Sequence, residues 1–137
     1  MSRKIEYLNP EGAPQAQGDY SHATKVAAGS NLYFIAGQLA VDSAGHIVGV
    51  DDFKAQFHQI FSNISAVLDG LGLSFDDIVK FNTYFVHAQD IKKFMTLRKE
   101  TFPKLFKTKH WPPNTILVID RLVKEEFLLE IEVVAAT

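Results

Sequence analysis

The C-terminal stretch Trp111–Thr137, WPPNTILVIDRLVKEEFLLEIEVVAAT, narrows the fold more than any other part of the chain. It reads as two strands joined by a charged link. The first runs from Asn114 to Leu122, rich in β-branched and aliphatic residues, and starts after Pro112-Pro113, a pair that cannot donate to a ladder. In the second, Leu129, Ile131, Val133 and Ala135 point one way and Leu128, Glu130, Glu132 and Val134 the other. Two carboxylates therefore share one face of a mostly apolar strand, where burial without water, a partner or a ligand is costly. Two readings follow. Either both are solvated on an open sheet face, or a glutamate held in this partly apolar site, Glu130 or Glu132, positions or deprotonates a water, the need of a hydrolytic step.

Upstream, a short strand is predicted near Lys4–Leu8, followed by a polar, turn-forming loop over Pro10–Asp19 (PEGAPQAQGD). Tyr20–Gly29 reads as a strand ending at Gly29-Ser30-Asn31, and Leu32–Val41 as a second, apolar on both faces and so central. The two are expected to form a hairpin. Gly37 interrupts the second strand and marks either a bulge or a close approach of a ligand to the backbone. Asp51 or Asp52 is placed to cap a helix whose stripe comprises Phe53, Phe57, Ile60, Phe61, Ile64, Val67 and Leu68, with Gly70 and Gly72 at its exit. Ile78–His87 is strand-like. A second helix spans about Gln89–Phe106, with Pro103 kinking it or opening its last segment.

This order predicts a single α+β domain over residues 1–137, two helices laid on one face of a mixed sheet. Apolar residues on both faces of the central strands predict a homo-oligomer whose sheets pack together. There is no apolar run long enough to span a membrane and no signal-peptide core, so the expected location is cytoplasmic. With no Cys, disulfides, thiolate zinc sites and thiol catalysis are excluded. The net charge is −2, with 14 basic and 16 acidic residues interspersed, and no basic stripe suits a nucleic acid. The histidines His22, His46, His58, His87 and His110 have no metal-ligand spacing, and no phosphate-binding or dinucleotide-binding glycine motif occurs. No metal and no cofactor are expected.

Arg98 falls on the apolar stripe of the second helix, seven residues after Ile91 and four after Phe94. It is either an arginine snorkelling from the edge of the core or a cation aimed into a pocket, where its planar fork holds a carboxylate.

The segments GDYSHATKVAAGSNLYFIAGQ, FSNISAVLDGLG, FDDIVKFNTYFV and LLEIEVVAA, taken in order over nearly the whole chain, resemble the Rid family, also called YjgF or liver perchloric-acid-soluble protein. The resemblance implies a fold like bacterial chorismate mutase and a homotrimer with small-molecule clefts between subunits. Members of the deaminase branch hydrolyse imines and enamines such as 2-aminoacrylate to keto acids and ammonia, without a cofactor. By the same resemblance Tyr20, Gly37 and Thr115 line the cleft, and Glu130 orients the attacking water. Asn114 stands where that branch carries an arginine that clamps the substrate carboxylate. Asparagine supplies no charge, and a charge-assisted bidentate contact is about twice as strong as a neutral one. The expectation is thus an imine-type hydrolase with an altered substrate range, Arg98 serving as replacement anchor. The alternatives are a small-molecule-binding or regulatory trimer without turnover, and an endoribonuclease, a label the family also carries.

Overall fold

The alternation near the C-terminus is realised as the middle of a sheet. In the computed structural model, which describes residues 4–137, the strand β6 (Leu129–Ala136) lies between β3 (Leu32–Gln38) and β4 (Ile78–Phe85), with β5 (Asn114–Val118) outside β4. The β3–β6 and β6–β4 pairs are antiparallel and β4–β5 is parallel, so the four-stranded sheet is mixed. Helices α1 (Phe53–Gly70) and α2 (Asp90–Leu105) cover one face of it. The fold is α+β as expected.

The helix face of β6 presents Leu129, Ile131, Val133 and Ala135, all fully buried. Against them packs a phenylalanine-rich core in which Phe57, Phe61 and Phe94 from the helices meet Phe81 and Phe85 from β4. Rings at edge-to-face and offset angles combine large apolar area with favourable quadrupole contact. The ends of α1 are closed by local chemistry. Asp52 Oδ1 accepts from the Ala55 N–H at 3.0 Å, the capping contact that an acidic Ncap provides. At the other end Gly72 takes φ +73°, and the Leu73 N–H donates to Leu68 C=O while the Gly72 N–H donates to Asp69 C=O. This double bond pattern needs the left-handed residue that glycine supplies. Pro103 lies inside α2, which continues two residues further to Leu105.

Three expectations are corrected. β2 (Ala23–Val26) does not form a hairpin with β3. It pairs instead with β1 (Ile5–Leu8) in a separate two-stranded sheet. The Gly29-Ser30-Asn31 turn hands the chain to β6, because Asn31 and Thr137 exchange backbone N–H···O=C bonds of 2.7 and 3.0 Å. The small sheet is held against β4 by Thr24, whose hydroxyl donates to the Val79 carbonyl at 2.7 Å. Second, β3 is an edge strand and not a central one. Its outward apolar residues are uncovered in the chain, with Phe34 78% exposed. Apolarity on both faces of β3 therefore marks a surface and not a place between two strands. Third, the strand from Asn114 ends at Val118, short of Leu122.

Candidate functional site

Directly paired residues in a sheet project from the same face. The pairings Asn82↔Glu132 and Tyr84↔Glu130 between β4 and β6 put these four side chains together on the face turned away from the helices. Thr115, opposite Asn82 on β5, extends this row to the sheet's other edge. Gly37 closes it on β3, where the register shifts between Ile35 and Gln38, so the bulge reading of this glycine is observed. The group that approaches the Gly37 backbone within the chain is the Glu130 side chain. A Cβ on residue 37 would sit 2.7 Å from Glu130 Cδ and would clash with its Oε2.

The two glutamates occupy different environments. Glu132 Oε1 accepts from the Asn82 amide at 2.9 Å and from the Tyr84 hydroxyl at 3.0 Å. The Tyr84 phenol is pushed above its ordinary pKa, first by donating to Glu132 and then by burial. Glu130 accepts no hydrogen bond among the described residues. Its pKa is raised above the ordinary value of 4.5, first by burial and then by the Glu132 charge beside it. A carboxyl raised in pKa by burial is suited to accept a proton and return it.

Gly37→Ala tests this geometry directly. The end of the Glu130 side chain yields more easily than backbone, so the fold persists at a cost of about 1 kcal/mol. The displaced carboxylate moves toward water, and its pKa falls back toward the ordinary range. Carboxyl-carbon NMR titration of both proteins reads the change, and an unmoved Glu130 titration would contradict it.

The remaining expected residues lie elsewhere in the chain. Asn114 pairs with Phe81, a core residue, and so projects from the helix face, where its Oδ1 accepts from the Thr83 hydroxyl at 2.8 Å. Its Nδ2 is left to donate. Arg98 is enclosed on the helix side, over the rings of Phe94 and Phe102 at 5.3 and 6.0 Å. Tyr20 is near Arg98, its hydroxyl accepting from the Gln17 N–H at 3.2 Å and its ring edge-on to His22. Within one chain, then, Glu130, Gly37 and Thr115 share one face of the sheet, while Asn114, Arg98 and Tyr20 lie on the other side. Asn82 and Tyr84 escaped the sequence reading. Their signal was the polar alternation Lys80-Asn82-Tyr84 through β4, which acquires meaning only once the register with β6 is known.

A family model described as Endoribonuclease L-PSP matches residues 10–137. A crystal structure of YyfB from Yersinia pestis, titled a protein of unknown function of the conserved Rid family, superposes with a TM-score of 0.86 at 27% identity, covering 98% of this chain and all of that one. The chain belongs to the Rid family. Its curated relatives include a RutC family protein of Pyrococcus horikoshii, 32% identical over 130 residues, which are 95% of this chain and 96% of that protein. Another is a protein of Dermatophagoides farinae named 2-iminobutanoate/2-iminopropanoate deaminase, 27% identical over 117 residues, 81% of this chain and 89% of that protein. Asn82, Tyr84, Glu130 and Glu132 all fall within the part of this Rid protein that the family model matches.

Proposed function

We propose that this Rid protein is a cofactor-independent hydrolase of small imines and enamines, with Glu130 as the general base. The observation that carries the reading is the state of that carboxylate: unbonded, half-buried, raised in pKa and set over the Gly37 backbone beside a glutamate that Asn82 and Tyr84 hold in place. In the proposed reaction Glu130 removes a proton from water as the water oxygen bonds to the imine carbon. The C=N electron pair goes to nitrogen, and Glu130 delivers the water proton there to give the carbinolamine. Glu130 then takes the carbinolamine hydroxyl proton as C=O forms and the C–N bond breaks, and passes it to the departing nitrogen, which leaves as ammonia. Every proton is accounted for by one carboxylate and one water.

The reading takes the protein as a homotrimer. Thr115 and Gly37 of one copy flank Glu130, and the clefts between subunits bring Asn114 and Tyr20 of the next copy to the same ligand. Asn114 offers Nδ2 as a neutral donor, so the preferred substrate has a polar group that does not depend on a full charge at that position. A second reading, binding without turnover, is favoured by one observation: no cation lies within ion-pair distance of Glu130 among the described residues, so no charged group of its own subunit is placed beside it to hold an anionic substrate. The endoribonuclease named in the family description fits less well, since paired carboxylates repel a phosphate backbone.

Generating 2-iminobutanoate and 2-aminoacrylate in place with an amino-acid dehydratase, and following their decay, distinguishes these readings. Acceleration that depends on Glu130 supports the hydrolase. A folded protein that leaves both decay rates unchanged sinks it.

A further inference from the structure

The proton transfers assigned to Glu130 leave Glu132 without a task, yet two side chains of β4 are bonded to it. Asn82, directly across from Glu132, donates its side-chain amide to Glu132 Oε1 at 2.9 Å. Tyr84 is directly across from Glu130, but its hydroxyl leans along the ladder and donates to Glu132 at 3.0 Å, a diagonal reach that aromatic side chains have. Both bonds end on the same oxygen, Oε1. A glutamate on a sheet face otherwise samples several rotamers, and two donors on one oxygen fix it in one place. The phenol stays a donor throughout its ordinary range, because donation to Glu132 and burial both push its pKa up.

Glu130 is confined from the other side, its carboxyl lying against Gly37, where a Cβ would come 2.7 Å from Cδ. The two glutamates alternate along one face of β6, so their Cα atoms are about 7 Å apart, inside the Debye length of about 8 Å at physiological ionic strength. Other titratable groups on this face are few. β4 adds Tyr84 and, one pair beyond Asn82, Lys80, and no ion pair among the described residues joins Lys80 to either glutamate. β3 adds Phe34 and Gly37, and β5 adds Thr115 and Leu117, none of which carries a charge. After burial, it is the Glu132 charge that raises the Glu130 pKa.

We propose that Glu132 is a positioning residue of the Glu130 site: Asn82 and Tyr84 clamp its carboxylate beside Glu130, and the clamped charge makes Glu130 the better proton acceptor. This rests on the reading of Glu130 as the general base. Glu132 acts through Glu130 and takes no proton in the reaction. A like charge beside a carboxylate disfavours its ionised form, so the base next to it takes a proton from water more readily. An unclamped Glu132 supplies less of this effect, since its charge is screened by the water it moves into.

Glu132→Gln removes the charge and keeps an oxygen that accepts from Asn82 and Tyr84. With 2-iminobutanoate generated in place, kcat of the whole protein at neutral pH is expected to fall about 3- to 10-fold, since base strength acts through a Brønsted relation, with KM little changed. The acid limb of the pH–rate profile moves to lower pH, so the variant is faster than the parent below the limb and slower above it. The profiles cross because the gain in ionised base outweighs the loss in its strength. A lesion that merely disturbs the fold slows the reaction at every pH. Tyr84→Phe, which keeps the charge and loosens the clamp, moves the limb the same way by less. Carboxyl-carbon NMR titration without substrate reads Glu130 itself, which should titrate at lower pH in Glu132→Gln than in the parent. Should Glu132→Gln not fold, Tyr84→Phe and Asn82→Ala carry the same two readouts. An unmoved Glu130 titration, or a rate lowered at every pH with the limb in place, overturns the inference. A parent that leaves imine decay unchanged, while the Glu130 titration still moves with Glu132, overturns the hydrolase and leaves the coupling of the two carboxyls standing.

Discussion

Replacing Glu130 by glutamine is expected to lower the rate of imine hydrolysis by about 10²- to 10⁴-fold, the range that a positioned general base contributes. The substitution keeps the size of the side chain and its place over Gly37, and it removes the proton acceptor. The parent rate should rise with pH through the Glu130 titration, which lies above the ordinary carboxylate value of 4.5 because of burial and the Glu132 charge. In Glu130→Gln that limb disappears. Stability moves with the same group, and the sign follows from linkage. A carboxyl whose folded pKa is raised binds its proton more tightly in the native state. Its stabilising contribution is complete below the unfolded value and is lost as pH rises through the folded one. Relative to the parent, Glu130→Gln should therefore gain stability from acidic to neutral pH, measured as the urea midpoint. A rate unaffected by the substitution, in a protein that does accelerate imine decay, would move the base to another residue.

The alternation in β6 was legible because a period of two can be read without knowing any partner. Leu129, Ile131, Val133 and Ala135 all reach the core, and Glu130 and Glu132 share the opposite face. The stripe of α1 and its Asp52 cap were legible for a similar reason, since both are contained within a few turns of chain. Pairing was not. Whether β2 joins β1 or β3, and whether β3 is inside or at the edge, depends on contacts between distant segments, and the Asn31–Thr137 exchange that decides it joins opposite ends of the chain. The site divides along the same line. Glu130 and Gly37 could be named separately, but that the glycine makes room for the glutamate could not. Asn82 and Tyr84 carry no motif; they matter because register sets them beside Glu132. Arg98 could be placed on a helix stripe, yet that its Nε and Nη1 meet no acceptor among the described residues is a property of everything around it.

On the proposed homotrimeric hydrolase, changing Phe34 to glutamate should give monomers, with hydrolysis falling more than about 100-fold as the clefts between subunits are lost. Phe34 is 78% exposed and pairs with Val134 on β6, while Leu32 beside it is 53% exposed and Leu117 across the sheet 43%. These residues surround the Glu130 row on the face that the helices do not cover. A run of large apolar side chains on one sheet face is an association surface in a soluble protein, and a second copy of the same face supplies a matching one. The chain itself gains little from Phe34, so the substitution should leave the far-ultraviolet circular dichroism intact. Within an assembled interface, by contrast, a carboxylate at this position is desolvated without a partner in every copy, a penalty of several kcal/mol each. Sedimentation analysis of the two proteins at equal concentration reads the outcome. If Phe34→Glu sediments as a trimer, the copies meet through another surface and the cleft composed of Glu130 with Asn114 and Tyr20 of a neighbour must be redrawn. If it sediments as a folded monomer and still hydrolyses imines at the parent rate, one chain holds the whole catalytic site, and Glu130, Gly37, Asn82 and Tyr84 suffice.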